Sequence, residues 1–312
     1  MATQWTTADI PPQNGRIAVV TGANSGLGLQ TATALAAAGA QVIMACRNPD
    51  KAAAALDQVK RHAPDAKVQL MTLDLADLRS IRAFAAAFSQ QFKQLDLLVN
   101  NAGVMALPFS RTRDGFEMQI GTNHFGHFAL TGLLMDRLIA GKQPRIVNVA
   151  SMAHNWTPGL NFDDLNYERR KYNKWIAYGN SKLSNLYFTF ELNRRINAAG
   201  KAITVAAAHP GYSDTNLQYA GPALEKSAFG TWLMKVGNGI FAQPAELGAL
   251  PSLYAATAPD VNGGDYIGPD GFQQIRGYPR KVGCRKLARD TSIAQRLWAV
   301  SEELTDVKYA LS

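Results

Sequence analysis

Cysteine is almost absent from this sequence: Cys46 and Cys284 are the only two in 312 residues. Two thiols cannot build a disulfide framework or a multi-cysteine metal site, and they point to a reducing compartment. Long apolar runs are missing too. The uncharged stretch at residues 118–135 carries Gln119, Asn123, His124, His127 and three glycines, so it reads as a buried helix and not a membrane span. The N-terminus has no basic segment followed by an apolar one; no secretory signal is read, and a cytoplasmic location is expected. No linker, internal repeat or low-complexity tract divides the chain. One domain over 1–312 is therefore expected, with an arm at 1–14 and a C-terminal extension from 258 to 312.

Acidic residues are also in deficit, 24 against 32 Lys+Arg, which leaves a net charge of +8. Such an excess invites a nucleic-acid or anionic-membrane partner. Six of those charges, however, fall in one acid-free window: Arg276, Arg280, Lys281, Arg285, Lys286 and Arg289. No nucleic-acid-binding module accompanies them, and that class is set aside. The window reads as a solvated face, with peripheral contact to an anionic membrane or an acidic substrate as the alternative.

What the chain does have is a regular alternation. Apolar, β-branched runs at 16–21, 41–46, 67–72, 96–100, 145–150 and 203–207 alternate with helical windows at 28–38, 51–62, 78–92, 116–140 and 175–199. This is the pattern of consecutive βαβ units, which right-handed crossovers fold into a parallel sheet with helices on both faces. The alternation lapses at 212–242, where Phe229, Trp232, Leu233, Val236 and Ile240 follow helical spacing. Two readings stand there, a packed surface helix or a lid over an apolar substrate. Further on, helices are expected near 245–256 and 292–304, and a short strand at Tyr266 and Ile267.

Directly after the first run comes Thr21-Gly22-Ala23-Asn24-Ser25-Gly26-Leu27-Gly28. Between a strand and a helix, such glycines let the backbone approach a pyrophosphate, whose charge meets the free N–H groups of the helix N-terminus. The acidic residue that takes the ribose hydroxyls in NAD-binding units is missing; Cys46-Arg47-Asn48 stands in its place. A guanidinium suits a 2′-phosphate, so NADP(H) is expected over NAD(H), with Arg47 as the contact. Asp74 and Leu75 close the third run, where a carboxylate can hydrogen-bond adenine, and Asn101, Ala102 and Gly103 follow the fourth. Both lie where open α/β sheets bind ligands.

Tyr178 and Lys182 are four apart in a helical window and so share a face. A nearby ammonium stabilises a phenolate, and such a tyrosine can exchange a proton with a carbonyl or alcohol oxygen while hydride moves to or from a nicotinamide. Tyr167-Glu168-Arg169-Arg170-Lys171 matches the same spacing. It lacks the apolar helical continuation that follows Tyr178 and is taken as a decoy. His124 and His127 are expected in the core or at an interface and not on a metal, and His209 in the turn before Pro210.

Together, TGANSGLG at 21–28, LDLADL at 73–78, NNAG at 100–103, the Asn123 helix, Ser151 ending NVAS, YGNSK at 178–182 and HPG at 209–211 resemble the short-chain dehydrogenases/reductases. ACRN at 45–48, NFDDL at 161–165 and AYGNSKLSN at 177–185 resemble the retinol dehydrogenase-like branch. The resemblance implies a single Rossmann-type, doubly wound α/β domain and a carbonyl–alcohol oxidoreductase acting on a lipophilic or aromatic small molecule; a homo-oligomer is left open. It further implies Tyr178 as general acid/base and Lys182 on the ribose hydroxyls, lowering the tyrosine pKa. Ser151 would sit on the substrate oxygen, Asn123 on a water-linked proton path, and Pro210, Gly211 and Thr215 at the nicotinamide. Ser151 and Tyr178 lie farther apart in sequence than is common in the wider family, so Ser151 depends on residues 154–174 looping out. The alternatives are a non-catalytic NADP-binding sensor or scaffold, and a C=C reductase of the protochlorophyllide reductase type.

Overall fold

Side chains alternate across the first strand, so that Ala18 and Val20 face one side and Val19 the other, all three fully buried. Burial on both faces is the mark of a central strand in a sheet covered by helices. The computed structural model describes residues 4–213 and 243–311, and all statements below concern these. Thr215, and the 212–242 segment apart from Tyr212 and Ser213, lie outside them.

Eight strands form one sheet: β1 (Ile17–Thr21), β2 (Gln41–Cys46), β3 (Val68–Thr72), β4 (Leu97–Asn100), β5 (Arg145–Val149), β6 (Thr204–Ala208), β7 (Tyr266–Pro269) and β8 (Pro279–Lys281). Their order is β3-β2-β1-β4-β5-β6-β7-β8. The first seven run parallel and β8 pairs antiparallel with β7. The direction of strand addition reverses between β1 and β4, which opens a ligand crevice at their carboxyl ends.

One face of the sheet is covered by α1 (Gly26–Ala37), α2 (Pro49–His62) and, among the later helices, the one at Ala245–Thr257, all packed on Val20, Val42 and Leu97. The other face carries α3 (Leu78–Gln91), the helices of residues 118–139, and two long ones at Lys174–Ala198 and Thr291–Thr305, packed on Val19, Ile43, Leu98 and Ile146. The sequence-predicted strands and helices match these elements to within a residue or two at nearly every end. No helix is long and apolar enough to cross a membrane among the described residues.

Two elements depart from expectation. The window at 116–140 is not one helix. It divides into α4 (Met118–Ile120), a π turn at Gly121–Phe125, α5 (Gly126–Leu133) and α6 (Met135–Ile139). Glu117 caps the amides of Gln119 and Ile120, which delays the start. The π turn widens where Asn123 reaches sideways to other elements, a recurrent site for such turns. The basic window is not wholly a solvated face either. It supplies β8, Lys281 pairs with Asp265 at 2.9 Å, and the Arg289 guanidinium stacks over Phe190 at 3.7 Å.

Candidate active site

β1 ends at Thr21, and Gly22 turns the chain with φ +66° while its N–H donates to Ala45. A Cβ on Gly28 would stand 2.3 Å from the Gly22 carbonyl oxygen and 2.5 Å from Asn101 Nδ2, so α1 packs against this turn only as glycine. Ser25, at the N-cap of α1, makes no side-chain cap, whereas α2 and α3 are capped by Asn48 and Asp77. The first-turn amides of α1 at Gly26 and Leu27 therefore keep their donors for an anion at the sheet edge. The glycine turn thus fits a dinucleotide pyrophosphate. Arg47 is exposed in the loop after β2. Cys46 is buried, its thiol pushed up to about 11 by burial against the opposing pull of the Ala23 and Asn24 amides. It backs the glycine turn, a role its sequence position did not announce.

Asp74 follows β3, its N–H donating to Ser80 Oγ at 2.9 Å. Leu75 comes so close to α5 that a Cβ on Gly126 would lie 2.5 Å from its carbonyl. After β4, Asn101 and Ala102 both donate their amides to Thr21 Oγ1 at 2.9 Å, and Asn101 Nδ2 reaches Thr21 O at 2.8 Å. Gly103 sits between the two ends of the site: a Cβ there would be 3.1 Å from Asn123 Oδ1 and 3.6 Å from Lys182 Nζ. Beyond β6, Gly211 adopts φ +65° and the Pro210 carbonyl accepts from Gln243 Nε2 and Ser213 Oγ at 2.8 Å. His209 is buried in this turn, bonded to Gln274.

The long helix α7 (Lys174–Ala198) starts at an Asn173 cap and carries Tyr178 and Lys182 in its first turns. Tyr178 is 5% exposed and Lys182 3%. The Lys182 ammonium lies 5.8 Å from the Tyr178 ring centre and donates to Val149 O at 3.0 Å. Ser151 follows β5 and sits beside Tyr178. Residues 154–174 loop out between them, as the placement of Ser151 requires. Asn123 is fully buried. Its Oδ1 accepts the Val104 amide at 2.8 Å, while its Nδ2 donates to Val104 O at 2.9 Å and to Ser181 Oγ at 2.8 Å. The structure thus brings Asn123, Ser151, Tyr178, Lys182 and the glycine turn to one edge of the sheet.

The electrostatics correct one expectation. Lys182 does not bring the tyrosine down: burial pushes Tyr178 up to about 12, with a hydrogen bond from Ser151 as the opposing pull. Lys182 is itself pushed down to about 8 by burial. In a dry site both charged forms lose hydration, and that loss outweighs a cation 5.8 Å from the ring.

The decoy Tyr167 has a structural part. With φ +56° and its hydroxyl accepting from Asn180 Nδ2 at 3.1 Å, it pins the loop onto α7. Arg285, from the basic window, donates to the carbonyls of Thr157 at 2.5 Å and His154 at 3.5 Å. It thereby ties the stretch after Ser151 to the C-terminal region, a contact no local motif signals.

A family model for short chain dehydrogenases matches residues 16–162. Human retinol dehydrogenase 13 is 41% identical over 297 residues, covering 94% of this chain and 86% of that protein. Mouse retinol dehydrogenase 14 is 40% identical, covering 94% and 87%. A crystal structure of a Mycobacterium paratuberculosis protein is 44% identical with a TM-score of 0.80, covering 98% of this chain and 99% of that one. An NAD(P)-dependent gluconate 5-dehydrogenase from Beutenbergia cavernae, solved with bound NADP, is 27% identical with a TM-score of 0.59, covering 78% and 90%. The chain belongs to the short-chain dehydrogenase family, in its retinol dehydrogenase-like branch, and is an oxidoreductase acting on CH–OH donors.

Proposed function

We propose that this protein interconverts a lipophilic carbonyl and its alcohol with NADP(H). The observation that carries this reading is the convergence of half-buried Ser151 with buried Tyr178, Lys182 and Asn123 beside an uncapped helix N-terminus. Bound there, the nicotinamide cofactor supplies or accepts the hydride. The glycine turn of residues 21–28 holds the pyrophosphate, Asp74 and Leu75 the adenine side, and Asn101, Ala102, Gly103, Pro210 and Gly211 the nicotinamide side. Arg47 takes the 2′-phosphate. Tyr178 delivers a proton to the carbonyl oxygen or removes one from the alcohol, and Ser151 orients that oxygen by hydrogen bonding. Lys182 holds the ribose hydroxyls and passes protons toward Asn123. A lipophilic substrate is supported by the names of the relatives at about 40% identity. It is supported also by Trp156 and Trp175, edge to face at 5.9 Å, which flank Ser151 and Tyr178 in sequence.

The test is an absorbance screen of NADPH and NADH oxidation against aldehydes and ketones of graded chain length, run on wild type and Arg47→Ala. Rates with NADPH are expected to rise with chain length. Arg47→Ala is expected to raise the KM for NADPH about thirtyfold, the scale of a charge-assisted hydrogen bond, and to leave that for NADH within about threefold. Inactivity across the whole screen would end the reading, and equal effects on both cofactors would remove Arg47 from the phosphate.

The pKa values set the pH dependence of each direction. A tyrosine pushed up to about 12 stays protonated throughout the working range, which suits a proton donor to a carbonyl. A lysine pushed down to about 8 is charged below that pH and neutral above it. For carbonyl reduction kcat/KM should be flat from pH 6 to 7 and fall as pH rises through about 8. Alcohol oxidation needs the phenolate and should rise with pH over the same range. A reduction rate that climbs between pH 7 and 9 contradicts this assignment.

A further inference from the structure

Thr21, Asn101 and Asn123 come from three separate elements, and one side chain joins them. His127, 1% exposed on α5, has both ring nitrogens engaged: Nε2 lies 2.9 Å from Thr21 Oγ1 and Nδ1 lies 3.0 Å from the Asn123 carbonyl. The roles in this chain of contacts are fixed by counting lone pairs. Thr21 Oγ1 accepts the amides of Asn101 and Ala102, which uses both of its lone pairs. Its one proton is directed to His127 Nε2, the alternative acceptor, Val99 O, being at 3.4 Å. A ring nitrogen that accepts carries no proton, so the ring proton is on Nδ1 and is donated to Asn123 O. Burial holds the imidazole neutral, with its pKa pushed down to about 4.

The two halves of this ring serve different ends of the site. The Nε2 half fixes the hydroxyl on which the turn after β4 hangs, and with it the wall on which a cofactor lies. The Nδ1 half fixes a carbonyl of the π turn, where Asn123 also binds Ser181, whose Oγ donates to Tyr178 O at 2.8 Å. We propose that His127 is a positioning residue that couples the cofactor wall, through Thr21, to the proton-handling side, through the Asn123 carbonyl. Its role rests on the catalytic reading above.

The halves can be separated by substitution. An asparagine amide overlays Nδ1 and cannot reach Thr21; a glutamine amide overlays Nε2 and leaves Asn123 O without its donor. His127→Asn is expected to weaken NADPH binding about fivefold to tenfold, read by fluorescence titration, with kcat near wild type. His127→Gln is expected to keep NADPH binding near wild type and to lower kcat about tenfold, with a displaced pH profile. Thr21→Val removes the first hydrogen bond from its other end. Because it also takes the acceptor from the Asn101 and Ala102 amides, it should weaken NADPH binding at least as much as His127→Asn, and the double variant should add little to Thr21→Val alone. Thermal melting of each variant separates misfolding from the split, and Thr21→Val carries the test of the Nε2 half should a histidine variant fail to fold. Parallel losses of binding and kcat in both histidine variants, or additive effects in the double variant, would overturn the coupling. The titration reads the cofactor wall without turnover, so failure of the catalytic reading leaves a distinct signature: normal NADPH binding by wild type with no reaction.

Discussion

Replacing Tyr178 with phenylalanine is expected to lower kcat about a thousandfold while NADPH binding stays within about threefold of wild type. The substitution removes a single oxygen from a ring that is 5% exposed, so packing on α7 and the placement of Lys182 persist. What is lost is the proposed proton donor, and positioned general acids and bases contribute roughly 10²- to 10⁴-fold. The melting temperature should hold or rise, because the buried hydroxyl that pushes this pKa up carries a desolvation cost. Steady-state rates, a fluorescence titration with NADPH and a melting curve on one preparation check all three parts. A variant within tenfold of the wild-type rate would transfer the proton chemistry to another group.

Gly28→Ala is expected to act at the opposite end, on binding and stability together. The added methyl would lie 2.3 Å from the Gly22 carbonyl oxygen and 2.9 Å from its carbon, both backbone atoms, and 2.5 Å from Asn101 Nδ2. Flexible side chains can give way; a strand end and the turn it enters cannot. Overpacking of this kind costs typically 1–3 kcal/mol, and the shift of α1 would withdraw the amides proposed to meet the pyrophosphate. NADPH affinity should fall several hundredfold, with a drop in melting temperature of several degrees. Unchanged affinity by calorimetry would mean that the dinucleotide does not use this turn.

Much of the architecture was legible because burial and period coincide. Strands such as β2, with Val42, Ile43 and Met44 fully buried, are apolar without interruption, and the helices between them carry their own stops. The glycine turn was legible for the same reason: its residues answer to a local backbone need. β8 was not, because Pro279, Arg280 and Lys281 include one buried residue and two exposed cations; it joins the sheet through an antiparallel ladder with β7. Nor was the π turn, whose wider register depends on where Val104 and Ser181 stand in space. The pKa of Tyr178 illustrates the same limit in the site itself. Spacing shows that a lysine is near, and only burial decides which of two opposing effects is larger. His127 was read as a core histidine, which it is, but its partners on β1 and the π turn are remote from it in the chain or hidden in backbone atoms. Its spacing of four from Asn123 was the one available sign.

The grip of Arg285 on Thr157 spans 128 positions, and Tyr309 donates to Phe128 O at 2.7 Å across 181. On the ribosome these partners arrive late. At about 5–20 residues per second, the stretch from Thr157 to Arg285 takes roughly 6 to 26 s to synthesise. Throughout that interval the nascent chain already holds β1 to β5 and its glycine turn, while the stretch after Ser151 lacks its anchor. The order of synthesis thus delivers β1 to β5 and the glycine turn well before the residue that ties down the stretch after Ser151.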